Sequence, residues 1–125
     1  MRNELFDLDA FRRGLEDDAE LALGAKFLDG AIRLRMGERA WIVSFRDGRV
    51  TELREATVFD SCFFDVSAPE SEWREFLKPV PRPFYHHIFP AVLYHGFDWS
   101  GDLEKAFAYM PALNRMFDIL RASAN

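Results

Sequence analysis

The chain has 125 residues, a formal net charge of −5 and a single cysteine, Cys62, together with 13 Phe and three Trp. One domain of this length buries roughly two-thirds of its unfolded surface, so residues 1–125 read as a single domain with a real core. The basic residues are scattered among acids, which excludes a nucleic-acid surface. Cys62 leaves no internal disulfide, and no apolar run reaches the ~20 residues of a membrane span.

Leu8, Phe11, Leu15 and Ala19 recur at helical spacing, with Asp7 or Asp9 placed to cap the helix. Gly14 and Gly24 suggest one helix broken in two, or ending near Gly24. The period then changes to two. Ile32, Leu34 and Met36 alternate with Arg33 and Arg35, Gly37-Glu38 turns the chain, and Trp41, Val43 and Phe45 mark a second strand. Asp47-Gly48 is a hairpin signal, because both residues tolerate positive φ. Arg49–Arg54 is polar and suits a sheet edge.

Thr57–Ser67 reads as a fourth, central strand with apolar residues on both faces, and the short turns imply an antiparallel sheet. Ser67-Ala68-Pro69-Glu70 has capping-box spacing ahead of a helix that buries Trp73, Phe76 and Leu77. Pro79, Pro81 and Pro83 make Lys78–Pro83 an extended loop. Phe84–Tyr94 is expected to be helical but irregular, bent or interrupted at Pro90. Phe97 and Trp99 form a short strand. The last helix carries Leu103, Ala106, Phe107, Met110, Leu113, Phe117 and Leu120, with Pro111 predicting a kink near Phe107–Pro111. The order is α+β, with helices stacked on a mostly antiparallel sheet.

Gly96-Phe97-Asp98-Trp99-Ser100-Gly101-Asp102-Leu103-Glu104-Lys105-Ala106, the Trp41–Leu53 hairpin and the Ser67–Leu77 helix together resemble the type 2 sterol carrier protein family. The resemblance covers roughly Phe27 to Leu120. It implies a five-stranded sheet covered by helices and a hydrophobic tunnel for sterols, fatty acids or acyl-CoA, with no catalytic machinery to carry over. Pro79–His95 departs from the family, whose members carry a Gly-rich stretch with Lys, Ala and Met there. That exchange favours rigid rings over flexible acyl chains.

Phe84–Trp99 holds six aromatics and all three histidines, with no Lys, Arg or Glu. Flat apolar surface with a few polar atoms either packs an unusually aromatic core or lines a ligand cavity. Its expected walls are Phe84, Phe89, Val92, Tyr94 and Trp99, joined by Phe107 and Met110. One or two of Tyr85, His86, His87 and His95 supply the polar anchors. The histidines lack the spacing of a metal site.

The favoured reading is a cytoplasmic carrier or accessory protein for a lipid, steroid, acyl-CoA or aromatic metabolite, with no cofactor, no metal and no stable membrane insertion. The first alternative is a small cofactor-free enzyme of the isomerase or dehydratase type, acting on a cyclic substrate with Asp60 or His95 as base. Asp60 or Asp65, if buried in the fourth strand, would have a raised pKa. The second alternative is a docking domain that pairs with itself or with a partner enzyme.

Overall fold

A computed structural model describes residues 5–125. Its elements are α1 (Leu8–Asp17), α2 (Ala19–Gly24), β1 (Gly30–Met36), β2 (Arg39–Arg46), β3 (Arg49–Glu55), β4 (Phe64–Ala68), α3 (Glu70–Phe76), α4 (Ile88–Tyr94), β5 (Asp98–Gly101), α5 (Leu103–Ala108) and α6 (Met110–Ala122). The five strands form one sheet in the order β3-β2-β1-β4-β5. All pairs are antiparallel except β1 with β4.

The alternation in the sequence sorts the two faces of the sheet. Ile32, Leu34, Met36, Trp41, Val43, Phe45, Leu53, Phe64 and Val66 point into one core shared with the helices. Arg33, Arg35, Ser44, Glu52, Arg54 and Asp65 occupy the other face. The hairpin turns at Asp47 (φ 52°) and Gly48 (φ 80°), both left-handed as a tight two-residue turn requires.

The first helix breaks at Asp18 rather than at a glycine. The Asp7 carboxylate accepts from the Asp9 and Ala10 amides and caps α1, and the Asp18 carboxylate accepts from the Leu21 amide at 2.7 Å and caps α2. Gly14 lies inside α1, where a Cβ would come within 2.6 Å of Ile119 Cγ2 on α6.

The fourth strand is shorter than the sequence suggests. It starts at Phe64, and residues 57–63 form a loop. The cause is Asp60. Its carboxylate accepts from the Thr57 amide at 2.7 Å, from the Thr57 hydroxyl, and from both terminal nitrogens of Arg54 at 2.9 and 2.7 Å. These local bonds satisfy polar groups that a strand would have offered to a neighbour. The loop crosses the polar face of the sheet, where Arg33 Nη2 donates to the Asp60 carbonyl at 2.8 Å. Ile42, flanked in register by Arg33 and Arg54, is buried on that face. The crossing delivers β4 beside β1 in parallel, which a simple meander would not produce.

Helix α3 follows Pro69 without a side-chain cap, because Ser67 belongs to β4. It buries Trp73 and Phe76, with Leu77 just beyond it. Pro90 opens α4 instead of bending it. Within the first turn its missing N–H would have had no helical partner. Pro111 likewise sits in the first turn of α6, and the predicted kink is a break between α5 and α6 at Tyr109.

Candidate functional site

The aromatic residues of 84–99 divide among four places. Phe97 is buried and packs edge-on against Trp73 at 4.9 Å between centroids, with Phe76 at 5.3 Å. Phe117 of α6 completes this cluster against Phe76 at 5.6 Å. These rings are core.

The second group is a wedge at the open edge of the sheet. Trp99 on β5 is half-buried and stacks on Phe89 of α4 at 5.6 Å and 13°. Phe107 of α5 stands edge-on to both, at 6.0 and 5.4 Å and 83°. Phe89 and Phe107 are 46% and 48% exposed, a large share for aromatic side chains in contact with one another. Trp99 also reaches Phe64 at 5.8 Å, so the wedge is continuous with the core. Val92 and Met110 are half-buried and pack against that core. Phe107 therefore leaves the apolar stripe of the last helix, because the break at Tyr109 separates α5 from α6.

Phe84 and Tyr94 form the third group, a stacked surface pair at 4.2 Å. Phe84 holds a left-handed backbone, φ 70°, uncommon for a bulky residue. The fourth group is Tyr85 with His95, stacked at 3.6 Å and 10°. The buried Tyr85 hydroxyl donates to Glu72 Oε1 at 2.8 Å, and a His95 ring nitrogen lies 3.1 Å from the Pro83 carbonyl. Burial first, then the Glu72 carboxylate, push the Tyr85 phenol up to about 12. Both side chains thus have partners within the protein. His86 and His87 are exposed, and His87 precedes α4 without capping it.

The structure thus unites Phe89, Trp99 and Phe107, with Val92 and Met110 packed on the adjoining core. It sets Phe84 and Tyr94 apart as a pair, and turns Tyr85 and His95 toward the loop. The expectation of a base at Asp60 meets the opposite chemistry. Arg54 first, then the Thr57 amide, hold its carboxyl well below the usual carboxylate range. Asp65 pairs with Arg33 and Arg35 on the polar face. Cys62 is a half-buried free thiol raised by burial. Among the described residues no group of three or more His, Cys, Asp or Glu side chains is placed to hold a metal ion.

Sequence reasoning missed a groove of about 830 Å³ between the C-terminal ends of α3 and α6, lined by Leu77, Lys78, Arg121 and Ala122 among others. Its residues come from segments far apart in the chain, and their spacing carries no motif.

No family model matches the sequence, and no curated protein matches it. Solved structures do. A crystal structure of sterol carrier protein 2 superimposes with a TM-score of 0.76 over 94% of this chain and 95% of that one, at 16% identity. The fold is that of sterol carrier protein 2. A conserved hypothetical protein from Thermus thermophilus, described as possibly a sterol carrier protein, matches with a TM-score of 0.75 at 17% identity, covering 98% of this chain and 91% of that one. A ubiquinone synthesis protein, UbiJ-SCP2, matches with a TM-score of 0.58 at 13% identity, covering 89% and 87%. The resemblance read from the Gly96–Ala106 segment and the Asp47-Gly48 hairpin therefore holds at the level of the fold. Within the sterol carrier protein 2 fold, this chain places its wedge where α4, β5 and α5 meet.

Proposed function

We propose that this chain binds a hydrophobic small molecule, as a carrier or accessory protein, and that the ligand enters at the Phe89–Trp99–Phe107 wedge. The observation that carries this reading is the pair of half-exposed phenylalanines, which join a half-buried tryptophan and through it the core. Exposed rings in such continuity keep apolar surface in water that a ligand would remove, at ~25 cal/mol per Å². The three rings already touch, so a ligand replaces a ring–ring contact instead of filling a ready gap. That favours flat ring systems such as a steroid or an aromatic metabolite, which restore the lost face-to-face or edge-to-face contact. The fold's lipid-binding precedent supports the same class.

The test begins with native mass spectrometry of the purified protein and organic extraction of what co-purifies. Titration with a fluorescent sterol follows. Trp99→Ala and Phe89→Ala should each weaken binding about three- to tenfold, while circular dichroism stays unchanged. Unchanged affinity in both variants would remove the wedge from the site.

A second reading is self-association through the same face, favoured by Leu93 and Tyr94, which extend the exposed surface of α4. Sedimentation of the ligand-free protein separates the two: a dimer dispersed by Phe89→Asp supports pairing, and a monomer leaves the wedge to a ligand. We read the chain as a cytoplasmic, single-domain protein, in keeping with its lone cysteine. No described helix is long and apolar enough to cross a membrane.

A further inference from the structure

The sheet ends in two edge strands, β3 and β5, and they are built differently. An edge leaves a row of backbone N–H and C=O groups unpaired, and charge, irregular pairing or a covering side chain keeps other chains off it. β3 has all three. Arg49, Glu52, Arg54 and Glu55 charge it, its pairing with β2 shifts register at Ser44/Phe45, and the Arg12 guanidinium donates to the Leu53 carbonyl at 2.9 Å. β5, Asp98-Trp99-Ser100-Gly101, has no Lys, Arg or Pro and pairs with β4 without a shift.

The bonding pattern settles which groups the β5 edge presents. The Gly37 amide donates to the Ala68 carbonyl at 3.1 Å, and the Asp102 amide to the Phe63 carbonyl at 2.7 Å. With the register of β4 against β1 and β5, these bonds turn the even-numbered residues of β4 toward β1 and the odd-numbered ones toward β5. Asp98 and Ser100 therefore bond inward, opposite Ser67 and Asp65, and the N–H and C=O groups of Trp99 and Gly101 point outward. No other described segment hydrogen-bonds to those outward groups.

The side chains alternate across this edge. Trp99 lies on the wedge side, stacked on Phe89, while Asp98 and Ser100 flank a hollow of about 390 Å³ on the polar face. Arg33 and Arg35 share Asp65 on the inner side of that face, whereas the Asp98 carboxylate has no ion-pair partner among the described residues. From Gly96 to Glu104 the chain carries Asp98, Asp102 and Glu104 and no cation.

We propose that the outer edge of β5 receives an extended segment of a partner protein, added to the sheet as a further strand, with Lys or Arg beside Asp98 and apolar residues on the Trp99 side. Backbone bonds at Trp99 and Gly101 attach the segment, and the two alternating faces select it. Charge chooses the occupant: an edge flanked by acids favours a basic segment, and a second copy of this chain, with net charge −5, would bring the same acids back to the edge. The edge goes beyond the carrier reading and needs no ligand in the wedge.

A blocked, fluorescently labelled heptapeptide that alternates lysine with valine and phenylalanine is the probe, titrated against the intact chain by anisotropy. It should bind at least about tenfold more tightly than its glutamate counterpart, and Asp98→Lys should weaken it about tenfold with an unchanged circular dichroism spectrum. Two further peptides carry N-methyl groups on alternate sets of backbone nitrogens. Only one set faces β5 in an added strand, so one of these peptides should lose binding and the other keep it. At saturating peptide the amides of Trp99 and Gly101 should exchange with solvent about tenfold more slowly, while those of Arg49–Glu55 stay as they were. Sterol affinity should be the same in Asp98→Lys as in the parent, which separates failure of the edge from failure of the wedge. No binding, equal binding of the lysine and glutamate peptides, both methylated peptides behaving alike, protection at β3 instead of β5, or a peptide-free dimer that already protects Trp99 and Gly101 would each overturn the proposal.

Discussion

Trp73 shows how one side chain ties two layers together. Its ring is fully buried between Phe76, Phe97 and Phe117, and its indole N–H donates to the Arg35 carbonyl of β1 at 2.7 Å. Trp73→Phe keeps most of the apolar contact and leaves that carbonyl without its donor, so urea denaturation should show a loss of about 1–3 kcal/mol. Acid sensitivity also resides in single residues. Asp18 and Asp60 both have folded-state pKa values below the unfolded value of 3.8, the first through Arg115 and the second through Arg54. A carboxylate lowered in this way contributes stability that is complete above the unfolded value and is lost as pH falls through the folded one. Asp18→Asn with Asp60→Asn should therefore lower stability at neutral pH and flatten its decline below pH ~4, as followed by thermal melts across pH. An acid limb as steep as the parent's would mean that other carboxylates carry the sensitivity.

At the scale of elements, α1 and α6 approach each other closely at Gly14. A methyl group at that position has 2.6 Å to Ile119 Cγ2, and Ile119 is itself buried. Gly14→Ala should cost about 1–3 kcal/mol despite its better helix propensity, and Ile119→Ala in the same chain should recover part of that loss. A double-mutant cycle with no coupling would contradict the contact. Legibility in the sequence also differs from element to element. The hairpins are readable because a period of two and Asp47-Gly48 act within a few residues. The boundary of β4 is not, because Asp60 looks like one polar residue in an apolar run until Arg54 is brought to face it. Pro90 and Pro111 read as bends, since a sequence shows that a helix is interrupted without showing which side of the proline begins it. Phe107 falls on the core stripe by spacing and leaves it because α5 and α6 are separate helices.

For the molecule as a whole, the aromatic surplus of the sequence is divided between inside and outside. Trp73, Phe76, Phe97 and Phe117 fill the interior, while Phe89, Trp99 and Phe107 open onto solvent at the sheet edge. Composition alone could show the surplus; only the register of β5 against β4, which sets Trp99 opposite Val66, decides its direction. The sterol carrier protein 2 fold was legible from element order and a handful of turns, whereas the groove beside Arg121 depends on contacts between α3, α6 and the strap before α4.

The loop that carries the chain from β3 across the polar face to β4 also sets an order in time. β1, β2 and β3 close through short turns, whereas the parallel pairing of β1 with β4 waits until residues 57–63 are laid down and fastened by Arg33 and Arg54. Since β5 pairs with β4, Trp99 reaches its place after that crossing. Asp60→Asn should then slow refolding in stopped-flow experiments more than it speeds unfolding, and the reverse partition would put the crossing after the rate-limiting step. A nascent chain would acquire its wedge late, only once the second half of the sheet had been made.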